Sequence, residues 1–126
     1  MAPTTRIKKF SIFERLRSFR YGLNGMKIIF RYEHNFRIHC LVAAIVLFAG
    51  IATGLKETEW LAILIVSGLV FISEMFNSAI EYMADFISPG YSEMIRKVKD
   101  VSAAAVLLSA IISVITGILI FYPKFF

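Results

Sequence analysis

The stretch that decides the fold is residues 60–86, WLAILIVSGLVFISEMFNSAIEYMADF. It exceeds the roughly 20 apolar residues that a helix needs to cross about 30 Å of hydrocarbon. Two further apolar segments flank it, at residues 36–55 and 101–122, and both are almost free of charge in their interiors. The sequence therefore predicts an all-α membrane protein with three transmembrane helices, about 36–55, 60–86 and 101–122.

The composition excludes other classes of protein. Hydrophobic residues make up 58% of the 126 residues, whereas soluble domains have about 45–50%. Disordered chains have low hydrophobicity, which this chain lacks. Cys40 is the single cysteine, so no intramolecular disulfide can form. The length fits one membrane-embedded domain that spans residues 1–126.

The distribution of basic residues predicts an orientation. The net charge is +5, and nine of the 14 Lys and Arg residues lie within the first 37 positions. Three more, Arg96, Lys97 and Lys99, lie between the second and third apolar segments. The positive-inside rule then places the N-terminus and the second loop in the cytoplasm and the C-terminus outside. In this setting the charge favours anionic lipid, and we expect no nucleic-acid partner.

The N-terminal region, about 11–32, has the pattern of an amphipathic helix. Its apolar side chains follow spacings of four and three residues, which place them on one narrow stripe: Ile12, Leu16, Phe19, Leu23, Met26 and Phe30. Basic residues flank this stripe, so we expect a surface helix that lies in the membrane interface. The alternative is an ordinary amphipathic helix that packs on a soluble partner.

Polar residues within the central segment are its anomaly. They occupy an arc of about 100° on a helix: Glu74, Asn77, Ser78, Glu81 and Asp85. Each ionisable side chain inside hydrocarbon costs at least about 2.5–3.5 kcal/mol, so such residues generally serve a function. A polar network that only joins helices is the structural alternative. A small transporter with proton-carrying carboxylates and a purely structural subunit are further alternatives.

Depth in the membrane separates these carboxylates. Glu74 lies about 21 Å along the helix from Trp60, and Glu81 and Asp85 lie about 10–16 Å further on, at the cytoplasmic boundary. A lipid hydroxyl could approach Glu74, while a water-soluble anion held through a cation could reach the other two. Two carboxylates commonly bind Mg²⁺ together with substrate phosphates.

Two smaller clusters accompany the central stripe. Glu33 lies at the start of the first apolar segment, at the depth of Glu81. His34 and His39 are five residues apart and no HExxH or CxxC motif exists, which disfavours zinc; His39 fits an interfacial hydrogen-bonding residue. Lys99, at the entry to the third segment, is placed to neutralise phosphoryl charge.

The motifs resemble those of the bacterial integral-membrane diacylglycerol kinases. The central one is Glu-x-x-Asn-Ser-Ala-Ile-Glu-x-x-x-Asp at residues 74–85, and Lys-Asp-x-x-Ala-Ala-Ala follows at residues 99–105. Tyr21-x-x-x-Gly25, followed by Glu33, matches as well. The resemblance covers nearly the whole chain. It implies a homotrimer in the bacterial cytoplasmic membrane that phosphorylates a lipid with MgATP, with active sites shared between subunits.

The resemblance also implies roles for individual residues. Glu74 is similar to the catalytic base, and Asn77 to the residue that holds the reacting hydroxyl or the metal site. Glu33 and Glu81 correspond to Mg²⁺ ligands. Candidate ATP contacts are Tyr21, Gly90, Tyr91, Ser92, Lys99 and Asp100. Candidate substrate contacts are Arg15, Arg17, Asn35, Ser78 and Asp85, with Arg15 or Arg17 supplying the family's N-terminal arginine.

The acceptor lipid stays open between two branches of this family. Diacylglycerol is the first expectation, but residues 33–39, EHNFRIH, resemble the Gram-positive branch that phosphorylates undecaprenol. The nucleotide-binding motifs G-x-x-x-x-G-K-[ST] and G-x-G-x-x-G are both absent, which excludes P-loop and protein-kinase folds. Small residues, Gly50-x-x-x-Gly54 and Ser109, Ser113 and Gly117, are expected to permit close helix approach in an oligomer.

Overall fold

The computed structural model describes residues 7–126, and this part of the chain forms four helices. They are α1 (Ile12–Tyr32), α2 (His34–Thr53), α3 (Glu57–Ile87) and α4 (Glu93–Phe125). Three of them, α2, α3 and α4, are long and apolar enough to cross a membrane. The predicted all-α architecture with three spanning helices is therefore confirmed, while the interfacial position of α1 stays a prediction.

Short local signals separate the first three helices. Only Glu33, in an extended conformation, lies between α1 and α2. Gly54 ends α2 with a φ of +67°, in the left-handed region that glycine adopts without a steric penalty. Lys56 precedes α3, and its backbone N–H donates to the Glu59 carboxylate at 2.8 Å. The junction from Gly54 to Lys56 connects the first two candidate spans, α2 and α3.

The last helix begins eight residues before the position predicted from hydropathy. Helix α4 starts at Glu93 rather than near residue 101, because Ser92 caps it: the Ser92 hydroxyl accepts a hydrogen bond from the Ile95 N–H at 3.4 Å. Hydropathy detects only the part of a helix that fits hydrocarbon. Lys99 and Asp100 consequently lie inside α4 and not in the loop before it.

The tightest packing joins consecutive spans. Helices α3 and α4 have the most extensive contact, and α2 packs on α3 over a smaller area. A Cβ added to Gly50 on α2 would lie 2.6 Å from Cη2 of Trp60 on α3, so only glycine fits there. Gly50 is a point of close approach between α2 and α3 within the chain, while Gly54 is the terminus of α2; a contact through these residues in an oligomer stays a prediction.

The distribution of burial is opposite to that of a soluble protein. Among the described residues the buried polar side chains are as numerous as the buried hydrophobic ones, and they are Glu74, Asn77, Ser78, Ser102 and Ser109. Large apolar side chains face outward on α3, with Phe76 67% exposed and Phe86 89% exposed. Such a surface suits contact with lipid or with other apolar helices rather than with water.

Candidate functional site

Glu74 is the most unusual residue of the site, because it is a carboxylate that is only 2% exposed. Its Oε2 atom lies 3.9 Å from Nε2 of His39 on α2 and has no hydrogen-bond partner within residues 7–126. Asn35, one turn before His39 on α2, is a second polar neighbour of the same carboxylate. Helix α2 thus presents two polar side chains to a buried acid on α3.

A chain of hydrogen bonds runs from α4 through α3 toward the next carboxylate. The Ser102 hydroxyl donates to Oδ1 of Asn77 at 2.9 Å, and Nδ2 of Asn77 lies 3.5 Å from Oε1 of Glu81. Asn77 and Ser102 are buried, and Glu81 is partly exposed. The Asn77 amide is therefore oriented by α4, with its NH₂ group directed at Glu81.

Tyr82 on α3 binds Glu33, one of the two carboxylates for which the sequence predicted a metal-binding role. Its hydroxyl donates to Oε1 of Glu33 at 2.5 Å, and both Glu33 and Glu81 act electrostatically on the Tyr82 phenol. The sequence reasoning did not select Tyr82. The available signal was a tyrosine at the end of an apolar segment, where its hydroxyl needs a polar partner.

The donor atoms of this region suit Mg²⁺. Among residues 7–126 no three His, Cys, Asp or Glu side chains are grouped closely enough to hold a metal by themselves. Mg²⁺ requires less, since it usually binds one or two carboxylates together with waters and substrate phosphates. Glu33 and Glu81 are connected to this region by the Tyr82 and Asn77 side chains respectively, and their carboxylate oxygens are donors of the kind that a hard cation prefers.

Ser78 is the other unpaired polar group in the buried part of α3. It is 1% exposed, and its hydroxyl has no hydrogen-bond partner in the described portion of the chain. It lies one turn from Glu74 on the helix. Buried hydroxyls are normally paired, so this unpaired one is an exception within the buried face of α3.

The predicted nucleotide contacts in the first turns of α4 form ion pairs. Lys99 on α4 pairs with Asp85 on α3, with side chains that are 36% and 64% exposed. Asp85 therefore lies on the outer rim, whereas the sequence analysis placed it on the buried arc. Asp100 pairs with Arg96 one turn away at 3.8 Å, and both are exposed.

The α3–α4 loop contains the predicted nucleotide-contacting residues Gly90, Tyr91 and Ser92. Tyr91 is 82% exposed, and the Gly90 carbonyl accepts a hydrogen bond from Ser88 at 3.3 Å. The Ser92 hydroxyl already serves as the cap of α4. The backbone of Gly90 and the phenol of Tyr91 are therefore open to solvent, while the Ser92 hydroxyl stabilises the start of α4.

The predicted contacts on α1 stand apart from the carboxylates. Tyr21 is 65% exposed, Arg17 is exposed, and the Arg15 guanidinium lies over the Phe10 ring at 5.7 Å. No hydrogen bond or ion pair of the described residues joins any of these three to Glu33, Glu74 or Glu81. Within one chain, α1 therefore offers them to solvent, a membrane surface or another subunit.

An apolar cleft of about 250 Å³ lies between α2, α3 and α4. His39 and Phe71 line it on α2 and α3, and it extends past Ser113 to Ile63 and Gly117. Along α2 the cleft extends from Ile38 to Val46, which is about 12 Å or slightly more than two helical turns. Because His39 also faces Glu74, the buried acid lies next to one end of this cleft.

Comparisons with known proteins decide the family. Residues 20–121 match the model of the prokaryotic diacylglycerol kinases. The chain belongs to this family. It is 37% identical over 108 residues to the undecaprenol kinase of Bacillus subtilis, covering 86% of this chain and 88% of that protein. As a member of this family the chain is a lipid kinase. Three of its helices are long and apolar enough to cross a membrane.

Two diacylglycerol kinases are also similar to this kinase. The protein from Synechocystis is 37% identical over 101 residues, which are 79% of this chain and 58% of that protein. The protein from Escherichia coli K12 is 34% identical over 107 residues, which are 83% of this chain and 86% of that protein. The relatives therefore carry two acceptor names at comparable identity.

Proposed function

We propose that this kinase transfers the γ-phosphate of MgATP to the hydroxyl of a membrane lipid, with Glu74 as general base. The observation that carries the proposal is the burial of Glu74, a carboxylate with an unpaired oxygen in a helix apolar enough to span a membrane. Such a group is costly in hydrocarbon and is retained where it has a chemical task. The family supports a lipid acceptor and ATP as donor.

The chemistry of phosphoryl transfer demands little covalent help from the protein. It depends on positioning the acceptor hydroxyl in line with the phosphate and on stabilising the developing charge. Glu74 would accept the hydroxyl proton, and Asn77, fixed by Ser102, would position the groups beside it. The transporter and structural-subunit alternatives explain the buried acid but not the family to which the chain belongs.

We propose that Glu33 and Glu81 hold Mg²⁺, which would shield the charge of the phosphates. The candidate nucleotide contacts are those of the sequence analysis: Tyr21, Gly90, Tyr91, Ser92, Lys99 and Asp100. Lys99 is supported by its place on α4 beside Asp85, at the same end of α3 as Glu81. Arg15, Arg17, Asn35, Ser78 and Asp85 remain the candidate substrate contacts.

For the acceptor we propose diacylglycerol, which would give phosphatidate. Undecaprenol is the second candidate, and two observations favour it. The undecaprenol kinase of Bacillus subtilis is similar over 86% of the chain. His39, within the 33–39 stretch that resembles that branch, lies beside Glu74.

We further propose a homotrimer in the bacterial cytoplasmic membrane. In one chain most of the large apolar side chains of all four helices are exposed. Neighbouring subunits would cover part of this surface. The N-terminus and the α3–α4 loop would face the cytoplasm, because 12 of the 14 basic residues lie either before the first apolar segment or between the second and the third.

A substrate panel tests the proposal. Purified kinase in mixed micelles is given radiolabelled MgATP with diacylglycerol, undecaprenol or ceramide, and labelled lipid is counted. We expect transfer to diacylglycerol, and faster transfer to undecaprenol would replace it with the second candidate. No transfer to any of the lipids, with the protein shown to be folded, would contradict the lipid-kinase proposal.

A further inference from the structure

His39 has a place in the site that the assigned roles leave unexplained. Its Nε2 atom lies 3.9 Å from Oε2 of Glu74, which is the buried oxygen without a hydrogen-bond partner in the described chain. A separation of 3.9 Å is ion-pair distance and too long for a direct hydrogen bond. The imidazole thus faces the carboxylate across a short gap.

Aromatic packing fixes the ring of His39. The imidazole meets the ring of Phe71 edge-on, with centroids 6.5 Å apart, and Phe71 in turn meets Phe36 edge-on at 5.2 Å. Phe36 is buried, and His39 is 23% exposed at the wall of the apolar cleft. The packing of α2 on α3 therefore determines the position of the imidazole. A side chain that orients another one needs such a defined position.

Charge singles out the same residue. The carboxylates that act on Glu74 are Glu33 and Glu81, and Asn35 is a neutral neighbour. Of the groups in the described chain that act on Glu74, His39 is the one that can carry a positive charge. The imidazole of His39 therefore opposes from α2 the electrostatic effect of Glu33 and Glu81 on this acid.

We propose that His39 is a positioning residue for Glu74: the imidazole faces Oε2 and fixes the orientation of the carboxylate toward the acceptor hydroxyl. The inference rests on the proposed function, since it gives Glu74 the part of general base. It predicts that the catalytic rate depends on a hydrogen-bonding nitrogen at position 39. Groups that orient metal ligands typically change activity 10- to 100-fold when removed, and we expect an effect of similar size for a group that orients a catalytic base.

Three variants test this role in the full-length kinase. His39→Phe keeps a ring against Phe71 and removes both nitrogens, His39→Gln keeps a donor near the position of Nε2, and His34→Gln is the control. His34 is the chain's other histidine and is bonded to Arg37 at 2.8 Å, away from Glu74. The measurements are kcat, the KM values for ATP and lipid, and the Tm in detergent.

We expect His39→Phe to lower kcat about 10- to 100-fold with the KM for ATP unchanged. His39→Gln should recover most of the rate, and His34→Gln should match the wild type. Wild-type kcat in His39→Phe, or equal losses in His39→Phe and His39→Gln, would overturn the proposal. If His39→Phe does not fold, as judged by Tm, His39→Leu takes its place in the same comparison.

The proposed function fails in a different way. A wild-type kinase that labels no lipid would overturn both proposals at once. A kinase that is active and loses its activity in Glu74→Gln, but is indifferent to His39→Phe, would leave the function intact and remove the role of His39.

Discussion

The two halves of α3 are buried on the same side for different reasons. In residues 57–70 the inward side chains are Trp60, Ile63 and Val70, which fit α2 and α4 by shape. In residues 74–85 the inward side chains are Ala84 and three polar ones, Glu74, Asn77 and Ser78, whose burial shape alone does not explain. One helix therefore combines a packing half, residues 57–70, with a chemical half, residues 74–85. Mutations in the two halves should have different effects on stability and on activity.

The largest expected effect is on the chemical half. Glu74→Gln keeps the size of the side chain and removes the general base, so kcat should fall by about 10²- to 10⁴-fold. The Tm should not fall, because the variant no longer buries a charge. Measurement of lipid phosphorylation and of the Tm in detergent checks both statements. Wild-type turnover in this variant would remove Glu74 from the reaction.

The next effect concerns the packing half. Gly50→Ala places a Cβ 2.6 Å from Cη2 of Trp60 and 2.8 Å from Cδ1 of Leu55. Overpacking of this kind costs about 1–3 kcal/mol of unfolding free energy. We expect a lower Tm with the kcat of the folded fraction preserved, which is the reverse of Glu74→Gln.

Gly68→Ala is the matched control for this overpacking. Gly68 lies in α3, and a Cβ there meets no atom within 4 Å. Alanine is the better helix former by about 1 kcal/mol, so this variant should be as stable as the wild type or more so. A loss of Tm in Gly68→Ala as large as that in Gly50→Ala would show that the steric argument is wrong.

A smaller effect on stability and activity is expected where the chemical half of α3 contacts α4. Ser102→Ala removes the donor to Oδ1 of Asn77, a bond of 2.9 Å between buried groups. An unsatisfied buried acceptor costs about 1–3 kcal/mol, and the Asn77 amide becomes free to turn away from Glu81. We expect both a lower Tm and a lower kcat, measured as above.

Ser109→Ala provides the comparison for Ser102→Ala. Ser109 is buried on the same helix, and its hydroxyl donates to the Val106 carbonyl within α4. Its removal leaves no side chain of another helix unpaired, so Tm and kcat should change less than in Ser102→Ala. Equal loss of kcat in the two serine variants would contradict a specific role for the Ser102–Asn77 bond.

The same contrast explains what the sequence could predict. Hydropathy located the three spans, and helical periodicity placed Glu74, Asn77 and Ser78 on one buried face, because both depend on local composition. Hydropathy missed the start of α4, because Ser92 begins the helix outside the apolar part. The bounds of the spans in hydrocarbon and the bounds of the helices are different quantities.

The contacts that join separate helices were beyond local reasoning. Tyr82 reaches Glu33 across 49 positions, and His39 reaches Glu74 from α2. Both depend on the register in which α2 packs on α3, which no spacing within one helix determines. Asp85 was placed on the buried arc, yet α3 ends at Ile87 and leaves it on the rim beside Lys99.

The smallest expected change in stability is at this rim. Lys99 and Asp85 are 36% and 64% exposed, and ion pairs this open to solvent contribute little to folding. Lys99→Met and Asp85→Asn should therefore shift Tm less than Ser102→Ala does. If Lys99 meets the nucleotide, Lys99→Met should raise the KM for ATP and leave the KM for the lipid unchanged.

Asp85→Asn sharpens that result. It frees the Lys99 ammonium from its partner, so the KM for ATP should fall or stay unchanged while Lys99→Met raises it. The exposed pair of Lys97 with Glu93, 3.8 Å apart on α4, offers a control, since Lys97→Met removes the same charge from the same helix. Equal increases of the KM for ATP in Lys97→Met and Lys99→Met would indicate that the rim acts only through its overall positive charge. An increase confined to Lys99→Met would indicate that Lys99 contacts the nucleotide at the cytoplasmic end of the chemical half.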